Sequence, residues 1–393
     1  MTRIRIRALA APVLLALAVT ACGSSSGGTA APAASGSAAA AGGGAAAAAD
    51  AALAKIQEQV LSKGPNGEDP SPASSADITQ ADIDAVKAMH AKAAIVMHYG
   101  GNDWSVAQID GLKAEFAKVG IEVVATTDAN FKPDKQVSDI QTVLAKKPNV
   151  IVSIPTDPVA TASAYKAAAA AGVKLVFMDN VPKGFTAGKD YASVVSADNY
   201  GNGVTSAHLM AKALNGKGKI GLIFHEADFF VTKQRYEGFK KTIADNYKDI
   251  QVVEEKGIAG PDFAGDAQAA ANAMLSKHAD LDGIWAVWDV PAEGVMAAAR
   301  ASGRNDLKIA TEDLGKNVAI ALAKGELIVG LGAQRPYDQG VTEVHLAVKA
   351  LLGQKTPAYV ALPSLPVQHS NVLDAWKQVY HQDAPADLKN SFK

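Results

Sequence analysis

From residue 93 onward the chain alternates short, wholly apolar runs with amphipathic stretches of roughly 12 to 16 residues. In the first half the runs fall at 93–97, 121–125, 150–154 and 174–178, and the spacing predicts helices over 106–119, 134–145 and 159–171, the last ended by Gly172 at a C-cap position. A second series starts near Tyr191, with runs at 220–224, 252–255, 283–287, 308–311 and 328–331. Strands apolar on both faces, separated by helix-length segments, are the pattern of parallel sheets covered on each side by crossover helices. Two similar α/β units in tandem are therefore expected.

The pattern before residue 93 is different. Arg3, Arg5 and Arg7 precede an apolar run at 8–19 that is too short to span a bilayer, and Val19-Thr20-Ala21-Cys22 follows. These four residues look like a bacterial lipobox, which implies a signal peptide over 1–21 and lipidation of Cys22, the single cysteine of the 393 residues. The alternative for a lone cysteine is burial in a cleaved secretory signal. Several acyl chains on one residue make a stable tether where one binds only marginally, so the lipidated chain would sit at the outer face of the cell membrane. Residues 23–49 are almost wholly Gly, Ala, Ser, Thr and Pro and read as a flexible tether. Gly23-Ser24-Ser25-Ser26-Gly27 has the text of a serine-hydrolase elbow, but no strand precedes it and no helix follows. Leu53, Ile56, Val60 and Leu61 have helical spacing, and Gly64-Pro65-Asn66-Gly67 breaks it, so 50–61 reads as a short peripheral helix.

Removing signal and tether leaves roughly 300 residues, more than one core usually holds, which suggests two lobes of about 150 each. The formal charge of −2 falls by three to −5 once Arg3, Arg5 and Arg7 are cleaved away. No basic patch points to nucleic acid, and a mature chain without a cysteine pair has no disulfide. Gly216-Lys217-Gly218-Lys219-Ile220-Gly221 satisfies the dinucleotide fingerprint as text but comes before its strand, where a pyrophosphate would meet no helix N-terminus. No phosphate-binding loop ending in Gly-Lys-Ser or Gly-Lys-Thr is present, and the eight histidines lack metal-ligand spacing, so neither cofactor nor metal is expected.

Open parallel sheets bind ligands beyond the carboxyl ends of their strands, and here those ends are polar and aromatic. His98, Asn102 and Trp104 follow the first run; Asp179 and Asn180 follow the fourth; later runs end in His225, in Trp288 with Asp289, and in Glu312 with Asp313. Carboxylates accept from hydroxyls, asparagine donates and accepts, and flat rings cover the apolar face of a sugar. The mixture suits a neutral polyhydroxylated ligand. A glycosidase would need two carboxyls at a set separation, whereas Asp179 and Asp313 are expected on different lobes whose distance changes on closure. Binding without catalysis explains them more simply.

From Ile95 through Gln334 and on towards Pro363 the chain resembles the ribose- and galactose-type periplasmic sugar-binding proteins of ABC transporters. The similar stretches are Gly101-Asn102-Asp103-Trp104 with Asp110-Gly111, Ile154-Pro155-Thr156-Asp157, Phe177-Met178-Asp179-Asn180 and Ser196-Ala197-Asp198-Asn199, then Lys233 to Phe239, Asp262-Phe263, Trp288-Asp289, Glu312-Asp313 and Ala333-Gln334. The resemblance implies two Rossmann-like lobes with parallel sheets, joined by a three-strand hinge, closing around one monosaccharide. The first lobe would take 92–197 plus 336–361, its partner 198–335 plus 362–393, after a lipid-anchored tether over 22–91. It also implies that Asn102 and Trp104 form the first-lobe wall, with Trp104 stacked on the ring. Asp179 would be the hydroxyl-binding aspartate, Arg235 the arginine, Phe263 the opposing aromatic, Asp313 the second-lobe aspartate and Gln334 a hinge-side amide. His98 holds a position that contributes either a polar contact or a structural one.

Three departures bear on specificity. Ile154 stands where ribose binders have asparagine, Asn180 where they have arginine, and Trp288 where they have asparagine. A pocket that leaves buried polar groups unpaired rejects ligands strongly, so these changes argue against ribose and towards another pentose, a deoxy sugar or a linear polyol. Trp288 could instead face away from the cleft as a core residue. The expected partners are a sugar or polyol, an ABC permease with its ATPase, and the membrane through the anchor, with the protein monomeric. A sensor handing its closed form to a receptor kinase or chemoreceptor is the alternative. A repressor on the same core is disfavoured by the export signal and the lack of a DNA-binding helix-turn-helix.

Overall fold

A computed structural model of the chain describes residues 40–392; the signal segment, Cys22 and residues 23–39 of the tether lie outside the described residues. In chain order the strands are β1 (Lys92–Met97), β2 (Glu122–Asp128), β3 (Val150–Ser153), β4 (Lys174–Met178), β5 (Ser193–Ala197), β6 (Lys217–His225), β7 (Asp249–Ile258), β8 (Gly283–Ala286), β9 (Lys308–Glu312), β10 (Ile328–Ala333), β11 (Tyr359–Leu362) and β12 (Leu365–Val367). The helices are α1 (Ala40–Ile56), α2 (Gln80–Ala88), α3 (Asp103–Lys118), α4 (Pro133–Ala145), α5 (Ala162–Ala170), α6 (Asn199–Ala213) and α7 (Phe230–Asn246), followed by α8 (Phe263–Lys277), α9 (Asp289–Ala301), α10 (Lys316–Ala323), α11 (Pro336–Leu351), α12 (Val372–Tyr380) and α13 (Ala386–Ser391).

The strands form two six-stranded sheets with the same winding, β11-β5-β4-β3-β1-β2 and β12-β10-β9-β8-β6-β7. The first is parallel throughout; in the second only β12 runs antiparallel, against β10. Successive strand residues point to opposite faces, which is why the apolar runs are continuous rather than alternating. In β1, Ile95 and Met97 pack with Leu112 and Phe116 on one face, while Ala94 and Val96 pack with Ile140 and Tyr165 on the other. The second sheet is clothed in the same way, Ile223 and Ile284 on one side and Leu222 and Trp285 on the other. This is the two-lobed α/β fold with parallel sheets. The chain leaves the first sheet after β5, returns after β10 through α11, which packs on α3, and crosses again between β11 and β12.

Close helix contacts position the site. A side chain at Gly203 of α6 would lie 2.0 Å from the Arg235 carbonyl, and one at Gly238 of α7 would lie 2.3 Å from the Tyr200 carbonyl. Glycine at both positions lets α7 press against α6, and Arg235 is carried inward with it.

The segment before β1 departs from the tether expected over 23–49 and the helix expected over 50–61. The helix begins at Ala40 and ends at Ile56. Its alanines have high helix propensity and a thin profile, which lets it lie against α6 with Ala49, Leu53 and Ile56 buried, and Asp50 pairs with Lys212 at 2.6 Å. Beyond it the chain is extended. Leu61 and Ser62 donate their amides, and Ser62 its hydroxyl, to the carboxylate of Asp198 at 2.8–2.9 Å. Ser71 then bridges to β11, its amide donating to the Tyr359 carbonyl at 2.9 Å, and α2 packs on α11. Residues 40–88 therefore hold to elements of both sheets and run past the first crossover on the way.

Candidate functional site

Because the sheets share one strand order, β4 corresponds to β9, and the residues that follow them, Asp179 and Asp313, occupy equivalent places. Both have left-handed backbone, φ 53° and 64°. Each amide donates across to the next strand, Asp179 to the Val195 carbonyl at 2.8 Å and Asp313 to the Gly332 carbonyl at 3.1 Å. A non-glycine residue in this region costs about 1 to 2 kcal/mol, so the two aspartates are held there by their surroundings.

Those surroundings differ. Arg235 of α7 is 2% exposed and forks onto Asp313, Nη1 to Oδ2 at 2.9 Å and Nη2 to Oδ1 at 3.2 Å. Its remaining bonds go to the Val287 carbonyl at 3.1 Å and to Asn199 Oδ1 at 3.3 Å. Burial works against the guanidinium charge, but Asp313 and Glu312 hold it above its ordinary value. Gln334 donates to Asp313 Oδ1 at 3.0 Å. Asp179 has a single donor, the hydroxyl of Ser196 at 2.5 Å on Oδ1. Burial pushes its carboxyl up to about 6, opposed by that hydroxyl and by the charge of Arg235. Behind the second lobe's wall Glu312 accepts from Ser206 and Trp285, and burial pushes it up to about 8.

Aromatic rings make the rest of the wall. His98 ends β1 and stacks at 5.9 Å and 11° on Phe229, which precedes α7, while its edge meets Phe131 at 4.8 Å. Phe131 lies 5.8 Å from Phe263, and Phe263 lies 4.9 Å from Trp288. The His98–Phe229 and Phe131–Phe263 contacts cross from one lobe to the other, and the Lys316 amide donates across to Asp103 at 2.7 Å, so the cleft is shut over the cavity. Burial holds His98 down to about 3 and lowers His225, leaving both rings neutral. His98 Nδ1, Trp104 Nε1 and Gln334 Oε1 are buried without a partner and belong to residues lining the cavity.

Of the residues singled out from the sequence, His98, Asn102, Trp104, Asp179, Arg235, Phe263, Trp288, Asp313 and Gln334 line this one cavity. Asn102 also caps α3, its Oδ1 accepting from the Ser105 amide at 2.9 Å. Trp288 faces the cleft, which removes the alternative of a core tryptophan turned away. Asn180 and Asp289 do not line it. Each follows a lining residue in sequence, and its side chain turns elsewhere: Asn180 donates to the Pro155 carbonyl at 3.0 Å, and Asp289 accepts from the Val290 amide at 2.9 Å with its carboxylate in the space beside Gly315. Burial, and then the charge of Asp313, pushes the Asp289 carboxyl well up. Cys22 lies outside the described residues. Tyr99, Phe131, Phe229 and Thr232 line the cavity and were not anticipated. Phe131 sits three residues beyond β2, so the strand-end rule applied to that strand points to it.

Residues 93–355 match a family described as a periplasmic binding protein domain. The chain is 25% identical over 269 residues to a ribose import binding protein of Salmonella typhimurium, covering 67% of this chain and 86% of that one. It is 27% identical over 282 residues to a D-ribose/D-allose-binding protein of Pseudomonas aeruginosa, covering 68% and 83%. Among solved structures, an ABC transporter solute-binding protein from Agrobacterium vitis bound with α-D-tagatopyranose superposes with a TM-score of 0.67 at 25% identity, covering 74% of this chain and 99% of that one.

Proposed function

The chain belongs to the periplasmic binding protein domain family, and from that premise we propose that it is the extracytoplasmic receptor of an ABC importer, binding a monosaccharide or polyol between its lobes and performing no chemistry on it. The observation that carries this reading is the convergence on one cavity of groups from both halves: Asp179, Asn102 and Trp104 from one, Arg235, Asp313 and Phe263 from the other. A ligand that touches both halves favours the shut state over the open one, and only that difference in affinity drives closure. The permease would read the shut form and release the solute as the halves part. The relatives named for binding ribose and allose, and the solved structure bound with tagatopyranose, support the ligand class.

The proposal includes the finer organisation. Residues 1–21 are a signal peptide, Cys22 is lipidated, the lobes are 92–197 plus 336–361 and 198–335 plus 362–393, and the protein works as a monomer at the outer face of the membrane. The lipobox-like Val19-Thr20-Ala21-Cys22 supports the anchor. Metabolic labelling with a fatty acid tests it: label should enter the chain and be lost in Cys22→Ala, with the protein released to the medium.

A thermal-shift screen of pentoses, hexoses, deoxy sugars and polyols tests the binding reading, since a ligand of the native state alone raises its melting point. Asp179→Ala and Arg235→Ala should abolish the shift. Full response in both variants sinks the assignment of the cavity. Loss of uptake on deletion separates transport from presentation to a sensor.

A further inference from the structure

The ionisable groups at the cavity do not balance. Asp179 and Asp313 are the carboxylates of the wall, and Arg235 is its only cation among the described residues. The guanidinium forks onto Asp313 and spends further donors on Val287 and Asn199. Among the described residues Asp179 is left with the Ser196 hydroxyl on Oδ1, and no donor reaches its Oδ2. The neighbouring residue, Asn180, is neutral, and its amide is turned to the Pro155 carbonyl. His98 and His225 are neutral, so the wall carries one excess negative charge when Asp179 is ionised.

The rest of the lining combines neutral polar groups, Asn102, Thr232 and Gln334 among them, with much ring surface: Trp104, Phe131, Phe229, Phe263 and Trp288 surround the space. Ring faces attract cations electrostatically, most of all where water is excluded. An unmatched carboxylate inside an aromatic enclosure is a site for a positive charge.

We propose that the solute carries a protonated amine, an amino sugar or amino-polyol, whose ammonium group is held by Asp179 Oδ2 and by the ring faces while its hydroxyls meet Asn102, Asp313 and Gln334. This rests on the reading of the chain as a sugar or polyol receptor and narrows its ligand class. The buried carboxyl of Asp179 stays ionised above about pH 6, in the presence of Ser196 from β5, Arg235 from α7 and Asp313 after β9. Glu343 of α11 and Tyr359 of β11 lie on its other side, both pushed up by burial and, further, by the charge of Asp179. Amine affinity is complete above that pH and declines below it as Asp179 takes up its own proton.

Calorimetric titration of the full chain with matched pairs tests the proposal: D-glucitol against 1-amino-1-deoxy-D-glucitol, D-glucose against D-glucosamine, and myo-inositol against an amino-deoxy-inositol. At pH 7.5 the amino member of at least one pair should bind tenfold or more tightly than its neutral partner, and the gap should close at pH 5. Asp179→Asn should remove the preference. Asn180→Arg, which restores a cation beside Asp179, should reverse it in favour of the neutral member. If the neutral member binds as well or better in every pair at pH 7.5, the amine is ruled out and the receptor reading stands. If no member of any pair binds while the thermal-shift screen yields a neutral ligand, the amine is ruled out and the receptor reading stands; if neither experiment yields a ligand, the receptor reading falls and the amine with it.

Discussion

The two half-sites are the same backbone solved twice with different side chains. Asp179 and Asp313 follow equivalent strands, share a left-handed conformation, and receive one neutral donor each from the adjoining strand end, Ser196 and Gln334. The halves differ in Arg235. In the second lobe the guanidinium neutralises its aspartate and fixes it by two bonds; in the first lobe nothing does. The difference shows that the winding of an α/β sheet decides where an acidic side chain stands, and its neighbours decide whether that group is spent on structure or left for a solute.

Four substitutions break or sharpen this contrast. The largest effect is expected from Arg235→Ala, which strands Asp313 as an uncompensated buried charge and should cost about 3 to 5 kcal/mol of stability together with binding. Denaturant unfolding and a ligand titration would read both. Next, Asp179→Asn should raise the stability of the ligand-free protein. Folding lifts the carboxyl from its ordinary value to about 6, so the ionised form is disfavoured in the native state, and that penalty is present above pH 6 and vanishes below about pH 4. A gain of up to about 3 kcal/mol at pH 7.5 that disappears at pH 4 is expected. Third, Ser196→Ala removes the sole donor to Asp179 and should push its carboxyl higher still, at a cost of about 1 to 3 kcal/mol at pH 7.5. The smallest effect is Gln334→Ala, about 1 kcal/mol, because Arg235 still satisfies Asp313. If Ser196→Ala and Gln334→Ala prove equal in unfolding experiments at pH 7.5, the asymmetry between the halves is not real.

Much of this was legible in the chain. The apolar runs located β1 to β4 and β6 to β10; the inner strands β1, β3, β4, β8 and β9 are buried on both faces, whereas the edge strands β2 and β7 are half exposed and were marked by runs shorter than the strands themselves. The strands missed as strands lie at the crossovers: β5 begins and nearly ends in serine, and β11 and β12 follow each other with only two residues between, the latter just three residues long, so no helix-length segment sets them apart. α1 was hidden for another reason. Its alanine-rich stretch has the composition of a tether, and only the neighbouring α6 supplies the groove that orders it. At the site, residue type and strand ends pointed to His98, Asn102, Trp104, Asp179, Trp288 and Asp313, while Arg235, Phe263 and Gln334 came from the family resemblance. Strand ends failed by one residue at Asn180 and Asp289, since adjacent side chains there leave in opposite directions. Phe131 could have been found by extending the strand-end rule to β2, whereas Phe229 sits in the loop before α7, whose folding over the cleft has no local signal.

The run from Ser62 to Ser71 bears on what steadies the hinge. One end is knotted to Asp198 and the other is laced to β11. Between the knots the cord folds back on itself, the Gly67 amide donating to the Gly64 carbonyl at 2.9 Å and the Gly64 amide to the Glu68 carbonyl at 2.8 Å. Both knots lie on the paired edge of β5 and β11, where the Asp198 amide also donates to the Leu362 carbonyl at 2.8 Å, so the cord splints that edge of the first sheet at the point where the chain leaves for the second.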